Sequence, residues 1–256
     1  MKARGFTLIE LVIVLVLISI SAIFSTRFIA DMAAGYVGTA ERGQALAGAR
    51  FAMERIKREL SLAYSPSVYV SDDKRCVSFV PVLASGRYLG EVAVTNPDAT
   101  FIIPLVLQKK TIKDANLAVR ADSGEAVWQD YPQVLPDNVF KFEDQASPAP
   151  AKVSFADAFV STSSPPASFD WEGLGGRYVL LQQRQVRFCL QGGDLWRSEN
   201  TETVWSDPVL MLSHVMSNSD FSDYNESSQL LVMSLSLQTR DGELVLPGQI
   251  QVIYEP

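Results

Sequence analysis

The stretch Met1-Lys2-Ala3-Arg4-Gly5-Phe6-Thr7-Leu8-Ile9-Glu10, running straight into Leu11-Val12-Ile13-Val14-Leu15-Val16-Leu17-Ile18, decides how this chain folds. A short basic leader carrying Lys2 and Arg4 ends in Gly5, and an apolar segment begins at Phe6. From Phe6 to Phe24 every residue is apolar or small except Thr7, Glu10, Ser19 and Ser21, and the next charge after Glu10 is Arg27. Those 19 residues, wound as a helix at about 1.5 Å per residue, reach about 29 Å, the thickness of a bilayer core. A carboxylate in such a segment costs about 2.5–3.5 kcal/mol at the centre and less near the end, where Glu10 sits, so its presence points to a function. Opposite charges can be accommodated together in a low-dielectric helix bundle where neither is tolerated alone. Lys2 and Arg4 hold the leader in the cytoplasm and direct the rest of the chain outward. A secretory signal peptide would have an apolar core of about 7–15 residues followed by a small-residue cleavage site. A plain signal anchor accounts for the length of the run but not for Gly5-Phe6 together with Glu10.

Lys2, Arg4, Gly5, Phe6, Thr7, Leu8, Ile9, Glu10 and the run to Phe24 resemble the leader of type IV prepilins and type II secretion prepseudopilins. The resemblance implies that prepilin peptidase, a membrane aspartyl protease, cuts between Gly5 and Phe6. It implies that Phe6 becomes N-methylphenylalanine. It implies that Glu10, then the fifth residue of the mature chain, neutralises the terminal amine of a neighbouring subunit in a filament. The partners implied are other major and minor pilins, an inner-membrane assembly platform and membrane lipid. Beyond the leader, Val186-Arg187-Phe188-Cys189 leading through Gly192-Gly193 to Leu195-Trp196-Arg197, and the closing Gln249–Pro256, are similar to the large minor pilins. These include the J-type minor pseudopilins of type II secretion and the O-type minor pilin of the mannose-sensitive haemagglutinin (MSHA) pilus, to which the last strand is most similar. The expectation is a minor pilin that helps initiate a type IV pilus. It would be single-pass in the inner membrane with its head in the periplasm, and would lie at the filament tip after assembly. A J-type pseudopilin and a tip adhesin are the alternatives.

Charge is unevenly divided. Residues 1–65 hold 8 Lys/Arg and 5 Asp/Glu, so of the totals of 22 and 29, residues 66–256 hold 14 and 24, a net of −10. An acidic head of this kind lacks the clustered Lys and Arg that nucleic-acid phosphates require, so nucleic acid is not an expected partner. The densest basic cluster, Arg55-Ile56-Lys57-Arg58, is interleaved with Glu54 and Glu59 and reads as a solvated helix face. Cys76 and Cys189 are the two cysteines. In an oxidising compartment they would form a disulfide closing a loop of more than 100 residues, worth about 4–5 kcal/mol by chain entropy. The alternative is two unrelated buried thiols. With the single His214, the two cysteines fall short of the four ligands of a structural zinc site.

The helix is expected to continue past the membrane. Leu46, Ala49, Met53, Ile56 and Leu60 recur at spacings of three and four and form one apolar stripe. Arg50–Glu54, Glu54–Arg58 and Arg55–Glu59 are opposite charges four residues apart. Ser65-Pro66 ends the helix, because the residue before proline disfavours the α region. One helix from about Phe6 to Tyr64 follows. The expected divisions are 1–5 leader, 6–26 membrane half, 27–65 amphipathic half and 66–256 a single β-rich head. Gly35, Gly38, Gly43 and Gly48 within the helix mark either a flexible stretch or close helix packing. In the head, Cys76–Val80, Thr100–Leu107, Tyr178–Leu190, Asp194–Arg197, Leu230–Leu237, Glu243–Leu246 and Gln249–Tyr254 read as strands, with Gly192-Gly193 as a hairpin turn. The Pro/Ser-rich stretches within 144–171 read as a long surface excursion. The fold class is therefore α+β and pilin-like, a long N-terminal helix packed on an antiparallel sheet head.

No Gly-x-Ser-x-Gly elbow, phosphate loop or dinucleotide fingerprint occurs, and Gly173-Leu174-Gly175-Gly176 reads as a turn. His214, in an apolar strand-like context, is a poor candidate base. The chain is thus expected to be no enzyme and to need no cofactor. Asp220, Asp223, Asn225 and Glu226 suggest an oxygen-rich loop that could take calcium, though the spacing is not that of an EF-hand. Trp171, Trp196 and Trp205 are read mainly as core, with an anchor for a partner or glycan as the other role.

Overall fold

In the computed structural model, which describes residues 7–108, 110–146, 148–160, 166–201, 204–240 and 242–252, a single helix α1 runs from Leu8 to Leu60. Thr7 caps it. Its backbone is extended and its hydroxyl oxygen accepts from the Glu10 N–H at 3.3 Å, satisfying one of the donors a helix start leaves unpaired. The helix stops four residues short of the expected Tyr64, because the head claims the backbone that follows. The Tyr64 N–H donates to the Val80 carbonyl at 2.9 Å, and the Leu62 carbonyl accepts from the Val82 N–H at 2.8 Å. Pro66 lies within a single 3-10 turn, Ser65–Ser67.

Where α1 meets the head, Ala49, Ala52, Ile56 and Leu60 are buried, with Ala45 and Met53 partly covered. Leu46, expected in that stripe, is only half-buried, and Ala52 takes a place in it. Small side chains let the helix lie close to the sheets. At Gly48 an added Cβ would stand 3.4 Å from Leu212, whereas Gly35 and Gly43 face open space. Of the three expected ion pairs along the helix, Arg55–Glu59 forms. Among the described residues the other two do not close.

The strands are β1 (Tyr69–Val70), β2 (Cys76–Phe79), β3 (Val82–Leu89), β4 (Thr100–Ile102), β5 (Ala115–Ala118), β6 (Val139–Lys141), β7 (Lys152–Ser154), β8 (Arg177–Gln182), β9 (Gln185–Gln191), β10 (Asp194–Asn200), β11 (Val209–Leu212), β12 (Asp220–Asn225), β13 (Leu230–Thr239) and β14 (Gly242–Gln251). Two short helices, α2 (Glu125–Trp128) and α3 (Phe155–Ala158), lie between them. Among the described residues these strands make antiparallel sheets of order β1-β2-β9-β10-β11, β12-β13-β14 and β6-β5-β8-β3-β4-β7.

The first two sheets and α1 enclose one core, built from Phe79, Phe188, Leu195, Phe221 and Leu235 against Ile56 and Leu60. The β9–β10 hairpin turns as expected on Gly192 and Gly193, at φ of 64° and 83°. Gln191 pairs with Asp194 across this two-residue loop, the geometry of a mirror-image turn that glycine adopts without strain. At the C-terminus the expected pair of strands split by Pro247 is instead one strand, β14, paired with β13 from Thr239↔Gly242 to Leu230↔Gln251. Proline, lacking an N–H, is tolerated there because β14 is an edge strand.

The six-stranded sheet forms a second lobe. The expected single head is therefore built around more than one core. Strand β8 is buried on both faces. Tyr178 and Leu180 enter an outer core with Phe101, Phe155, Phe159 and Phe169. Val179 and Leu181 enter an inner core with Tyr64, Val80, Trp128 and Tyr131, where the lobes meet. The run Tyr178–Leu190 is consequently two strands in two sheets, broken at Gln183-Arg184. Thr100–Leu107 is a strand only to Ile102, because the Pro104 carbonyl accepts from the Leu107 N–H at 2.9 Å and turns the chain. The expected surface excursion at 144–171 is corrected most. Lys152–Ser154 adds an edge strand to the sheet, and Phe155, Phe159 and Phe169 fill the outer core.

Tyr131 ties the inner core together. Its fully buried hydroxyl accepts from the Asn116 amide at 2.8 Å and donates to the Gln182 carbonyl at 2.7 Å. Tyr131→Phe deprives the Asn116 amide N–H and the Gln182 carbonyl of this buried hydroxyl and is expected to cost about 1–3 kcal/mol. The readout is the chemical denaturation midpoint, and an unchanged midpoint would contradict the assignment.

Candidate functional site

Residues 8–37 of α1 are exposed throughout, from Leu8 at 81% onward. This is the one described helix long and apolar enough to cross a membrane. An α-helix of 53 residues extends about 80 Å, so roughly its first half stands clear of the head as an apolar rod. Glu10 lies in its first turn, exposed, with no ion pair among the described residues. The helix N-terminus carries partial positive charge, which favours a carboxylate at this position. The Thr7-x-x-Glu10 spacing is that of a capping box, the local sequence signal for this helix start. Gly5 and Phe6, the expected cleavage and methylation positions, lie outside the described residues.

Residues 1–26 match the family model of the prokaryotic N-terminal methylation motif. The chain carries a pilin-like prepilin leader. No curated protein and no solved structure matches the chain.

The other residues singled out in the sequence are distributed as follows. Cys76 and Cys189 are bonded, with Cα atoms 4.2 Å apart, and they face each other in the β2–β9 ladder. His214 is not in a strand. It lies in the turn after β11 at φ 61°, exposed, with Nδ1 3.1 Å from the Ser213 hydroxyl. Asp220, Asp223 and Asn225 are on strand β12 rather than in a loop, and Glu226 accepts from the Ser123 hydroxyl at 2.7 Å. Among the described residues no group of three or more His, Cys, Asp or Glu side chains gathers as a metal would need. Trp128 is the fully buried tryptophan, whereas Trp171 is 54% exposed and Trp196 and Trp205 are half-buried. The three therefore do not serve mainly as core. Trp196 bonds the Gln191 carbonyl at its rim, and Trp205 lies under Arg187, whose guanidinium is 4.0 Å from the ring centre.

A polar network that sequence spacing could not show fixes α1 to the head. Arg197 donates to both Glu59 carboxylate oxygens at 3.0 Å and pairs with Glu199, which also accepts from Arg184 at 2.8 Å. Burial acts against charge on Glu199. The hydrogen bond from Arg197, and the charges of Arg184 and Arg197, outweigh it and hold the carboxyl below its ordinary 4.5. Glu172 is lowered in the same sense. Burial opposes its charge, but the Tyr88 hydroxyl and the Ala93 and Val92 N–H groups prevail. A carboxyl whose pKa is lower folded than unfolded adds stability above the unfolded value, and that stability is lost as pH falls through the folded value. The melting temperature is accordingly expected to hold down to about pH 4.5 and to fall below it. Glu199→Gln should flatten the fall. A melting temperature that rises on acidification would contradict this.

Proposed function

We propose that this protein is a minor pilin, a non-catalytic subunit that helps initiate assembly of a type IV pilus of the MSHA kind. The observation carrying the proposal is the unsupported apolar half of α1 with its lone carboxylate Glu10, directly behind a prepilin leader. An apolar rod of this kind requires lipid before assembly and other helices after it. In this reading prepilin peptidase cuts after Gly5 and Phe6 is methylated. Phe6–Phe24 then anchors the subunit in the inner membrane with the head in the periplasm. Glu10 pairs with the Phe6 amine of a neighbouring subunit. The two-lobed head of 191 residues is bulky beside one helix, which suits a place at the filament tip better than repetition along the shaft.

The test is a clean deletion in the native host, scored for surface filaments by electron microscopy and for exported enzymes in the medium. Loss of filaments with normal secretion supports the proposal. Loss of secretion with filaments intact overturns it in favour of a J-type pseudopilin. Normal filaments that no longer attach make it a tip adhesin.

A further inference from the structure

We propose that the second lobe binds a carboxylate-bearing oligosaccharide along a row of basic side chains that ends at Trp171. The row is set by strand register. Lys152 on β7 faces Ile102 on β4, Ile102 faces Arg87 on β3, and Arg87 faces Arg177 on β8. Residues directly opposite in antiparallel pairing point to the same side, so Lys152, Arg87 and Arg177 share one face of the sheet, and all three are exposed. Arg120, past the end of β5, extends the row, with its guanidinium 5.3 Å from the centre of the Trp171 ring. Among the described residues none of these four cations makes an ion pair. Like charges placed directly opposite, as Arg87 and Arg177 are, destabilise a sheet. They are conspicuous in a head whose net charge is −10. An anion lying across the row would relieve the repulsion.

A cleft between the lobes opens beside this row. It has a volume of about 730 Å³ and is lined by Trp171, Arg120, Arg177, Asp122, Ser123 and Glu226. The Arg87 guanidinium lies near the turn that follows Leu174 of the cleft lining, with Nη2 3.7 Å from where a Cβ on Gly175 would stand. Arg120 holds φ 48°, a strained conformation for a residue with a side chain and one that gathers at binding sites. The mixture of groups selects the ligand class. The exposed face of Trp171 suits the apolar face of a pyranose ring. Asp122 and Glu226 accept hydrogen bonds from sugar hydroxyls. The guanidiniums offer forked donors to carboxylates. This assignment is independent of which filament the subunit serves.

The test is calorimetric titration of the full chain in detergent micelles with tetragalacturonate, with neutral maltotetraose and a thymidine oligonucleotide as comparisons. Saturable binding of tetragalacturonate is expected, weakened about tenfold or more in Arg87→Gln/Arg177→Gln and in Trp171→Ala, with no binding of maltotetraose. Because the arginines are exposed and unpaired, the double variant should melt no lower than the parent. A variant-free arm uses salt, since binding that does not weaken between ~50 and ~500 mM NaCl overturns the proposal. So does absence of binding, equal binding of maltotetraose, or binding indifferent to the substitutions. Tighter binding of the oligonucleotide overturns the ligand class.

Discussion

Glu10→Ala is expected to leave leader cleavage intact and to remove the subunit from filaments. The leader residues Lys2, Arg4, Gly5 and Phe6 are untouched by the change, so peptidase recognition should persist. Thr7, which caps α1 through its own hydroxyl, still starts the helix. What is lost is the sole negative charge between Phe6 and Thr26. In a bundle of apolar helices the amine of a neighbour's mature N-terminus would then lie uncompensated in low dielectric, and removing one partner of a buried pair costs about 3–5 kcal/mol. That corresponds to a loss of roughly two to four orders of magnitude in an association constant. Mature-size protein in the membrane fraction, with none in sheared filaments, is the expected immunoblot. Normal amounts in the filament fraction would refute the role assigned to Glu10.

Replacing both Cys76 and Cys189 by serine is expected to cost about 4–5 kcal/mol on the chain-entropy account. The bond joins residues 113 apart in sequence, so its loss releases a very long loop in the unfolded chain. Domains are stable by about 5–15 kcal/mol, so the variant would stand close to its threshold. The pair lies opposite within a formed ladder, so the oxidised fold requires no displacement of the backbone. Denaturant titration of parent and double variant measures the difference. A loss under about 1 kcal/mol would mean that the reduced chain retains the β2–β9 pairing when otherwise unfolded.

The long helix and the β9–β10 hairpin were legible in local patterns of the sequence, whereas pairings distant in the chain were not. The apolar run and the stripe through Ala49, Ile56 and Leu60 have a period that belongs to the helix itself, so α1 was legible apart from its last turn. That turn is decided by hydrogen bonds to Val80 and Val82, which no local pattern announces. The Gly192-Gly193 hairpin was legible for the same reason as α1. The division into lobes was not, because Tyr178–Leu190 is one β-prone run whose halves pair in different sheets. In 144–171, prolines and serines masked Phe155, Phe159 and Phe169, whose burial depends on strands more than 40 residues earlier in the chain, around Phe101. At the candidate site Glu10 stood out because a carboxylate contradicts its surroundings. The Glu59–Arg197 pair spans 138 residues, and nothing near either residue betrays it.

All six strands of the second lobe lie between Cys76 and Cys189. The lobe is thus a loop drawn out of the first sheet and locked at its neck, which has a mechanical meaning for a protein tethered by one helix. A pull that parts β2 from β9 on the lobe side separates Val77↔Phe188, Ser78↔Arg187 and Phe79↔Val186. There the tear meets a covalent stop. The covalent path then runs through the sulfur bridge to α1, and the chain beyond Cys189 is joined to it through the β9–β10 ladder. The bridge thus keeps the first sheet joined to α1 by a covalent path that does not run through the outer lobe.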